Sequence, residues 1–212
     1  MANIKRILKK LLGEARFGRM KHGRLFRIGI SVVGTLKAAD LLFLAKFFNT
    51  DKERSHSYTR HYEEHFKALR KQKLNILEIG VGGHKNPEAG GASLRMWKYY
   101  FPHSTIYGID LYDKRRVEES RIRVFQGSQA DGEFLRRVVN DIGPLHIVID
   151  DGSHIESDII ASFKTLFPLI APGGIYVVED VTMLDFFKQL PETMHYYDTL
   201  LFIYKRGSLV QS

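Results

Sequence analysis

The chain has 212 residues, of which 44% are hydrophobic and 12% aromatic, and this is enough apolar material for a packed domain with an extension. It contains no cysteine, which excludes a disulfide framework, a thiolate zinc site and a cysteine nucleophile, and we expect a cytoplasmic protein. The formal net charge is +8. Such a charge indicates a nucleic-acid partner only if it is spread over the folded domain.

The positive charge is concentrated near the N-terminus. Residues 1–37 hold ten of the 32 Lys and Arg side chains and one of the 24 acidic ones, Glu14, which leaves 22 basic against 23 acidic side chains for the rest. The remainder is therefore nearly neutral, which argues against nucleic acid as its partner. We predict a basic helical N-terminal extension over residues 1–40 and one domain over residues 41–212.

Within the extension, apolar residues recur at helical spacing among lysines: Ile4, Ile7, Leu8, Leu11 and Leu12. The pattern predicts a short basic amphipathic helix that is solvated, lies on an anionic membrane surface, or contacts nucleic acid or protein. The longest uncharged run nearby, residues 28–36, has nine residues, whereas a bilayer requires about 20. Basic residues also interrupt any signal-peptide core. A membrane contact of this segment would thus be peripheral.

Helices and strands follow in a regular order. Helices are predicted over residues 40–48 and 57–71, with a capping turn between them. Beyond residue 73, strands alternate with helices: strands at 74–80, 104–110, 122–127, 145–150, 173–180, 194–197 and 199–206, and helices at 91–100, 133–141 and 157–170. The residues Pro172, Gly173 and Gly174 are predicted to form the turn that ends the last helix. This alternation predicts an α/β fold with a Rossmann-like doubly wound sheet.

The first two strands end in residues that are typical of a nucleotide site. Glu78, Gly80 and Gly82 follow one another at the end of the first strand, and Asp110 ends the second. Glycines let the backbone approach a ligand closely, and an acidic side chain can accept both ribose hydroxyls. The dinucleotide fingerprint fails, because Lys85 stands where a third glycine is required. We predict an adenosine-containing cofactor, with a purely structural turn as the alternative.

Two later strands end in acidic residues and a histidine. Asp151 and His154 follow the strand at 145–150, and Glu179 and Asp180 end the strand at 173–180. Because the carboxyl ends of parallel strands meet at one edge, these side chains should converge on one pocket. Carboxylates suit Mg²⁺, Mn²⁺ or Ca²⁺, and a neutral imidazole can take a proton. The alternatives are a helix-capping role for the histidine and a solvated strand end for the acidic pair.

Six segments together carry a more specific pattern: NTDKERSHSYTRHYEEHF at 49–66, LEIGVGG at 77–83, YGIDLYDK at 107–114, VFQGSQAD at 124–131, DDGSHI at 150–155 and VVED at 177–180. With them the chain resembles the S-adenosylmethionine-dependent, metal-dependent sugar O-methyltransferases of macrolide and aromatic polyketide biosynthesis, the mycinamicin, demethylmacrocin and rhamnosyl-tetracenomycin type. The likeness covers about residues 45–205. It implies methylation of a sugar hydroxyl in antibiotic or glycan biosynthesis.

The resemblance assigns roles residue by residue. It makes Asp151, Glu179 and Asp180 the ligands of Mg²⁺ or Mn²⁺ and His154 the general base. Ten residues are expected to contact or support S-adenosyl-L-methionine: Thr50, Tyr58, Glu78, Gly80, Gly82, Asp110, Gln126, Ser128, Gln129 and Asp150. The expected acceptor is a small-molecule glycoside or a glycolipid, and a homo-oligomer is compatible with the pattern.

One segment departs from the family. Only thirteen residues separate Asp180 from the predicted strand at 194–197, whereas similar enzymes have a longer loop and helix there that help to cover the acceptor. Acceptor identity and retention of activity are therefore left open. Two other functions stay open as well. One is methylation of nucleic acid or of another small molecule, and the other is a non-catalytic membrane-binding or RNA-binding module on a methyltransferase scaffold.

Overall fold

The computed structural model describes residues 6, 7, 9, 10, 24–182 and 185–208. The chain divides into two compact units, a first unit of Met1–Lys71 with Arg95–Pro102 and a second unit of Gln72–Leu94 with His103–Ser212. The predicted N-terminal amphipathic helix falls mostly outside the described residues, and the predicted boundary near Asp40 stays a prediction. No helix in the described ranges is both long and apolar enough to cross a membrane.

From residue 24 on, four α-helices precede the first strand: α1 (Arg24–Leu36), α2 (Leu41–Phe48), α3 (Asp51–Arg54) and α4 (Thr59–Phe66). Helix α2 begins where the Asp40 carboxylate accepts the Phe43 N–H at 2.8 Å, and it ends at Asn49 in the left-handed conformation. Its predicted end is confirmed. The helix predicted at 57–71 is shorter, because a 3₁₀ turn, Lys67–Leu69, follows α4.

The core of the first unit is a cluster of aromatic rings. Tyr62 and Phe66 of α4 are fully buried, as are Trp97 and Phe101. The rings of Tyr62 and Trp97 lie 4.9 Å apart, centroid to centroid, and those of Phe66 and Phe101 lie 5.6 Å apart. These tilted and edge-to-face arrangements are favourable for aromatic pairs. The apolar side predicted for the helix at 57–71 is therefore the side that packs.

The second unit contains a seven-stranded sheet in the order β3-β2-β1-β4-β5-β7-β6. Its strands are β1 (Asn75–Ile79), β2 (Thr105–Asp110), β3 (Ile122–Gln126), β4 (Leu145–Asp150), β5 (Ile170–Val178), β6 (Thr193–Tyr197) and β7 (Leu200–Tyr204). Strands β1 to β5 are parallel, and β7 runs antiparallel between β5 and β6. The predicted doubly wound α/β sheet is confirmed.

The helices after β1 are α5 (Ala92–Tyr100), whose residues are divided between the units, α6 (Gly132–Ile142), α7 (Glu156–Leu166) and α8 (Asp185–Lys188). Helices α6 and α7 each bury one apolar side. Leu135 and Val138 of α6 join Phe163 of α7 and Val148 of β4 in one core cluster. Burial of this side against the sheet stabilises the second unit, because it removes apolar surface from water.

The turn predicted at Pro172, Gly173 and Gly174 is wrong, because β5 already begins at Ile170 and includes these residues. The Gly173 N–H donates to the Lys205 carbonyl oxygen at 3.1 Å, and the Lys205 N–H donates to the Gly174 carbonyl oxygen at 2.9 Å. The register between β4 and β5 shifts at this level. The segment is therefore an irregularity inside a paired strand, which tolerates proline and a positive φ at glycine.

Candidate functional site

Asp151, His154 and Asp180 form one group in the second unit. One ligand atom from each side chain lies within 4.8 Å of the others. His154 Nε2 is 3.9 Å from Asp151 Oδ1 and 4.0 Å from Asp180 Oδ2. The group forms because β4 and β5 are parallel neighbours, and their carboxyl ends bring the segments after them together. Two carboxylates and an imidazole are a donor set that a divalent cation such as Mg²⁺ or Mn²⁺ fits.

The loop that carries His154 is held in an unusual backbone conformation. His154 has a φ of 57° and Asp180 a φ of 52°, both in the left-handed region that non-glycine residues rarely adopt. The Ser153 N–H donates to Gln129 Oε1 at 2.7 Å, and the Ser153 hydroxyl donates to Asp158 Oδ2 at 2.9 Å. Local strain that neighbouring groups hold in place is typical of functional sites.

His154 does not cap the helix that follows it. The N-cap residue of α7 is Ile155, and the helix has no side-chain capping bond. The imidazole is instead 42% exposed beside two carboxylates. A half-exposed imidazole next to a candidate metal site is accessible to a substrate hydroxyl, as a general base requires.

Glu179 lies beside this group but is not part of it. Its side chain is only 2% exposed, and its N–H donates to the Asp150 carbonyl oxygen at 2.9 Å. Both residues follow β5, and Asp180 has a left-handed backbone, so the alternation of side chains along a strand does not bring both carboxylates to one ion. The assignment of Glu179 as a metal ligand stays a prediction.

Asp150 is the centre of a buried hydrogen-bond network. Its Oδ2 accepts bonds from the Ser162 hydroxyl at 2.6 Å and the Tyr176 hydroxyl at 2.9 Å, and its Oδ1 accepts one from Gln129 Nε2 at 3.1 Å. Burial raises the pKa of Asp150 to about 6, because desolvation disfavours the charged carboxylate, although the three bonds oppose the shift.

This network joins the end of β4 to α7 and β5, and through Gln129 it also reaches the backbone of the His154 loop. Asp150 and Gln129 therefore have structural partners within the second unit, while their predicted cofactor contacts stay predictions. The sequence reasoning missed Ser162 and Tyr176. The sequence offers one signal for each of them: Ser162 lies among the apolar residues of a predicted helix, and Tyr176 lies inside an apolar strand.

Asp110 ends β2, and both oxygens of its carboxylate accept backbone amides. Its Oδ2 accepts the Val81 N–H at 3.1 Å and its Oδ1 accepts the Tyr112 N–H at 2.9 Å. The two amides fix the orientation of the carboxylate, and each oxygen retains further capacity to accept a bond. Gly82 has a φ of 78° and open space where a Cβ would lie. Together these features fit a cofactor that carries a ribose and approaches the loop backbone.

Three more of the predicted cofactor residues lie in the second unit. Glu78 is fully buried in β1. Gln126 Nε2 donates to the Leu111 carbonyl oxygen at 3.4 Å, and the Ser128 hydroxyl accepts the Ala130 N–H at 3.2 Å. The roles of Glu78, Gln126 and Ser128 in cofactor binding therefore stay predictions.

Thr50 and Tyr58 belong to the first unit. The Thr50 hydroxyl caps α3 by accepting the Lys52 N–H. Tyr58 is 3% exposed, and its ring stacks on that of His56 at 4.9 Å. Their predicted cofactor contacts stay predictions as well.

The strand order, the glycine loop after β1 and the acid that ends β2 define the class of the second unit, which has the Rossmann-like fold of S-adenosylmethionine-dependent methyltransferases. The chain is similar, more particularly, to sugar O-methyltransferases. It is 56% identical to mycinamicin VI 2''-O-methyltransferase of Micromonospora griseorubida over 126 residues, which are 59% of this chain and 32% of that protein.

A second relative is the 8-demethyl-8-alpha-L-rhamnosyl tetracenomycin-C 2'-O-methyltransferase of Streptomyces olivaceus. It is 49% identical over 138 residues, which are 65% of this chain and 36% of that protein. The chain thus spans about a third of the length of these curated relatives. No family model matches the chain.

Among solved structures, the MycE methyltransferase of the mycinamycin biosynthetic pathway, in complex with Mg, SAH and mycinamycin VI, is 42% identical. The TM-score is 0.75, and the match covers 79% of this chain and 55% of that one. The resemblance predicted from the six sequence segments is confirmed.

Proposed function

We propose that this protein transfers a methyl group from S-adenosyl-L-methionine to a hydroxyl of a sugar on a natural product or a glycolipid, with the help of Mg²⁺ or Mn²⁺. The observation that carries the proposal is the Asp151, His154 and Asp180 group at the carboxyl edge of a methyltransferase sheet. The similarity to sugar O-methyltransferases supports the same reaction and the same class of acceptor.

The chemical difficulty lies in the acceptor, because an alcohol is a poor nucleophile at neutral pH. Asp151 and Asp180, with Glu179 as the proposed third carboxylate, would hold the cation, which when bound stabilises a developing alkoxide. His154 Nε2 faces Asp151 and Asp180 and is the atom that would take the hydroxyl proton.

On the cofactor side, Asp110 would accept the ribose hydroxyls, and Gly82 would leave room for the cofactor at the loop backbone. The remaining predicted contacts within the second unit are part of the same proposal. Binding both substrates would bring the acceptor oxygen close to the methyl group, and alignment of this kind supplies up to ~7–11 kcal/mol in model reactions. No covalent enzyme intermediate is required.

The test is a methyl-transfer assay on the full chain with S-adenosyl-L-methionine, MgCl₂ and a set of macrolide and rhamnosyl glycosides. The expected result is a mass gain of one methyl group on a glycoside, which EDTA abolishes and Mg²⁺ restores. Calorimetric titration with S-adenosylhomocysteine accompanies the assay. A protein that binds no S-adenosylhomocysteine would refute the proposal, and full turnover in EDTA would refute its metal-dependent mechanism.

We further propose that residues 1–37 contact an anionic membrane surface. The segment carries ten basic side chains and one acidic side chain. In α1, Ile28 and Val32 are each 48% exposed and Leu36 is 78% exposed. Their spacing of four residues places them along one side of the helix. An exposed apolar side within a strongly basic segment is the pattern of a helix that lies in the plane of an anionic interface.

A further inference from the structure

The loop that joins β1 to α5 is not a tight turn. It runs over residues 80–91, and its ends are joined by a hydrogen bond from the Gly91 N–H to the Val81 carbonyl oxygen at 2.7 Å. A Cβ atom on Gly90 would overlap the backbone of Gly82. The two halves of the loop therefore meet backbone to backbone, which glycine permits because it has no side chain.

The ammonium of Lys114 lies inside this loop. The side chain is fully buried, and Nζ donates hydrogen bonds to the carbonyl oxygens of His84 at 2.6 Å, Asn86 at 2.8 Å and Ala89 at 3.2 Å. An ammonium has three donors and no acceptor, so these carbonyls match its donors in number. A buried charge is destabilising unless such bonds replace its hydration. The conformation of the loop and the burial of Lys114 therefore depend on each other.

Lys114 also holds the part of the loop that carries backbone strain. His84 has a φ of 44°, in the left-handed region, and of the three acceptors its carbonyl oxygen is the closest to Nζ. Two residues earlier lies Gly82, with its open space. Asp110, at the start of the segment that ends in Lys114, accepts the Val81 N–H. This segment thus fixes the loop on both sides of Gly82.

We propose that Lys114 is a positioning residue for S-adenosyl-L-methionine, which acts through the loop without touching the cofactor. The inference rests on the proposed function, because it assigns the loop to the cofactor. The three hydrogen bonds hold the loop in one shape before binding, so the open side of Gly82 is presented without an ordering cost. Cofactor affinity depends on an ammonium at this position, whereas metal affinity does not, because Asp151 and Asp180 follow other strands.

The test compares Lys114→Met, which keeps an unbranched apolar side chain but removes the donors, with Arg116→Met as a matched control. Arg116 Nε lies 2.9 Å from Oε1 of Glu88, a residue of the same loop, in an exposed ion pair. Exposed ion pairs contribute little to stability. S-Adenosylhomocysteine is titrated by calorimetry and Mn²⁺ by electron paramagnetic resonance. Lys114→Met should raise the Kd for S-adenosylhomocysteine about 10–100-fold and leave the Kd for Mn²⁺ unchanged, whereas Arg116→Met should change neither.

Turnover separates positioning from general damage. In Lys114→Met, the KM for S-adenosyl-L-methionine should rise while kcat at saturating cofactor is retained, because the ammonium touches no reacting atom. Equal S-adenosylhomocysteine affinity in the wild type and Lys114→Met would overturn the inference, and so would a parallel loss of Mn²⁺ affinity. If the wild type itself binds no S-adenosylhomocysteine, the proposed function fails and this inference falls with it.

A chemical rescue covers the case in which Lys114→Met does not fold. The chain has no cysteine, so Lys114→Cys supplies a single thiol that can be alkylated in denaturant before refolding. Alkylation with 2-bromoethylamine restores an ammonium at nearly the length of lysine, whereas bromoethane adds no charge. The aminoethylated protein should bind S-adenosylhomocysteine about 10–100-fold more tightly than the ethylated one, and equal binding by both products would contradict the inference.

Hydrogen exchange on the wild type requires no variant. The Asn86 N–H donates to the Gly83 carbonyl oxygen and the Ala89 N–H to the Asn86 carbonyl oxygen. If Lys114 orders the loop in advance, both amides should be protected from exchange before any cofactor is added. Exchange at the rate of an unstructured peptide, with protection only after S-adenosylhomocysteine binds, would show that the cofactor and not Lys114 orders the loop.

Discussion

Gly80 and Asp151 meet backbone to backbone at the carboxyl edge of the sheet in the second unit. A Cβ atom on residue 80 would overlap the carbonyl group of Asp151, and the Asp151 N–H donates to the Ile79 carbonyl oxygen at 3.0 Å. The candidate cofactor loop and the candidate metal loop therefore share one contact, and a side chain at position 80 would disturb both.

The first prediction is that Gly80→Ala lowers the free energy of unfolding by about 2–4 kcal/mol and weakens both S-adenosylhomocysteine and Mn²⁺ binding, because a clash adds to a φ of 92°. Gly82→Ala is the matched control, since its φ is also positive but its Cβ would meet no atom. Gly82→Ala should lower the free energy of unfolding by only about 1–2 kcal/mol and leave Mn²⁺ affinity unchanged. Urea unfolding and the two titrations measure the difference. Equal effects of the two substitutions on Mn²⁺ would refute the shared contact.

The second prediction concerns the ribose acceptor. Asp110→Ala should weaken binding of S-adenosylhomocysteine by about 1.5–3 kcal/mol, the range for hydrogen bonds to a charged group. The control is Asp113→Ala, because Asp113 is an acid on the same segment that pairs with Arg115 at 2.6 Å instead. Calorimetry on both variants gives the comparison. Unchanged affinity in Asp110→Ala would remove this residue from the cofactor site.

The third prediction separates the metal from the base. Asp151→Asn and Asp180→Asn should abolish Mg²⁺-dependent turnover and retain S-adenosylhomocysteine binding, because their carboxylates are assigned to the cation. His154→Ala should lose about 10²–10⁴ in rate, the usual contribution of a positioned acid or base, and still bind Mn²⁺. Methyl transfer to a glycoside, followed by mass spectrometry, is the readout. A His154→Ala protein with the wild-type rate would show that another group takes the proton.

The fourth prediction addresses Glu179, which the sequence predicts as a ligand and the structure leaves outside the Asp151, His154 and Asp180 group. If Glu179 turns towards the cation when it binds, Glu179→Gln should lower Mn²⁺ affinity by at least about tenfold, since a ligand carboxylate contributes charge as well as an oxygen. Electron paramagnetic resonance titration gives the value. Wild-type affinity would leave Asp151 and Asp180 as the carboxylate ligands.

The fifth prediction concerns stability and pH. Burial lowers the pKa of His146, and its Nδ1 accepts the Asn75 N–H at 3.0 Å. The imidazole of His146 therefore binds a proton less readily in the folded state than in the unfolded state. Its contribution to the free energy of unfolding is fully present above pH 6.5 and is lost as the pH falls from there through the lowered pKa. Thermal unfolding between pH 8 and pH 5 should show a smaller loss of Tm in His146→Gln than in the wild type. The exposed His103 provides the control, His103→Gln, and a wild-type slope in His146→Gln would refute the assignment.

The sequence predicts the ends of strands better than it predicts contacts between residues that are distant along the chain. The convergence of the acidic strand ends was predictable, because apolar runs that turn acidic place Asp151 and Asp180 at one edge whatever the details of packing. The hydroxyls of Ser162 and Tyr176 were not, because each gains its role from Asp150, which is 12 and 26 residues away along the chain. Lys114 likewise acts on carbonyls 25 to 30 residues earlier.

The irregularity at Pro172 was misjudged for a related reason. Proline followed by two glycines is a strong turn signal when only neighbours in sequence are considered. In the structure, Lys205 of the segment after β7 bonds to Gly173 and Gly174 and keeps them in the sheet. Pairing with a distant strand thus overrides the local preference.

The network around Asp150 has a consequence for how the proposed acceptor specificity can change. The loop that carries His154 is anchored from behind, through Gln129 to Asp150 and from there to α7 and β5. None of these anchors lies between Asp180 and β6, the segment that is short in this chain. On the proposed function, grafting a longer version of that segment from a relative should therefore alter which glycosides are methylated while His154, the proposed base, keeps its place. Acceptor choice and proton transfer would then be separately exchangeable properties of one scaffold.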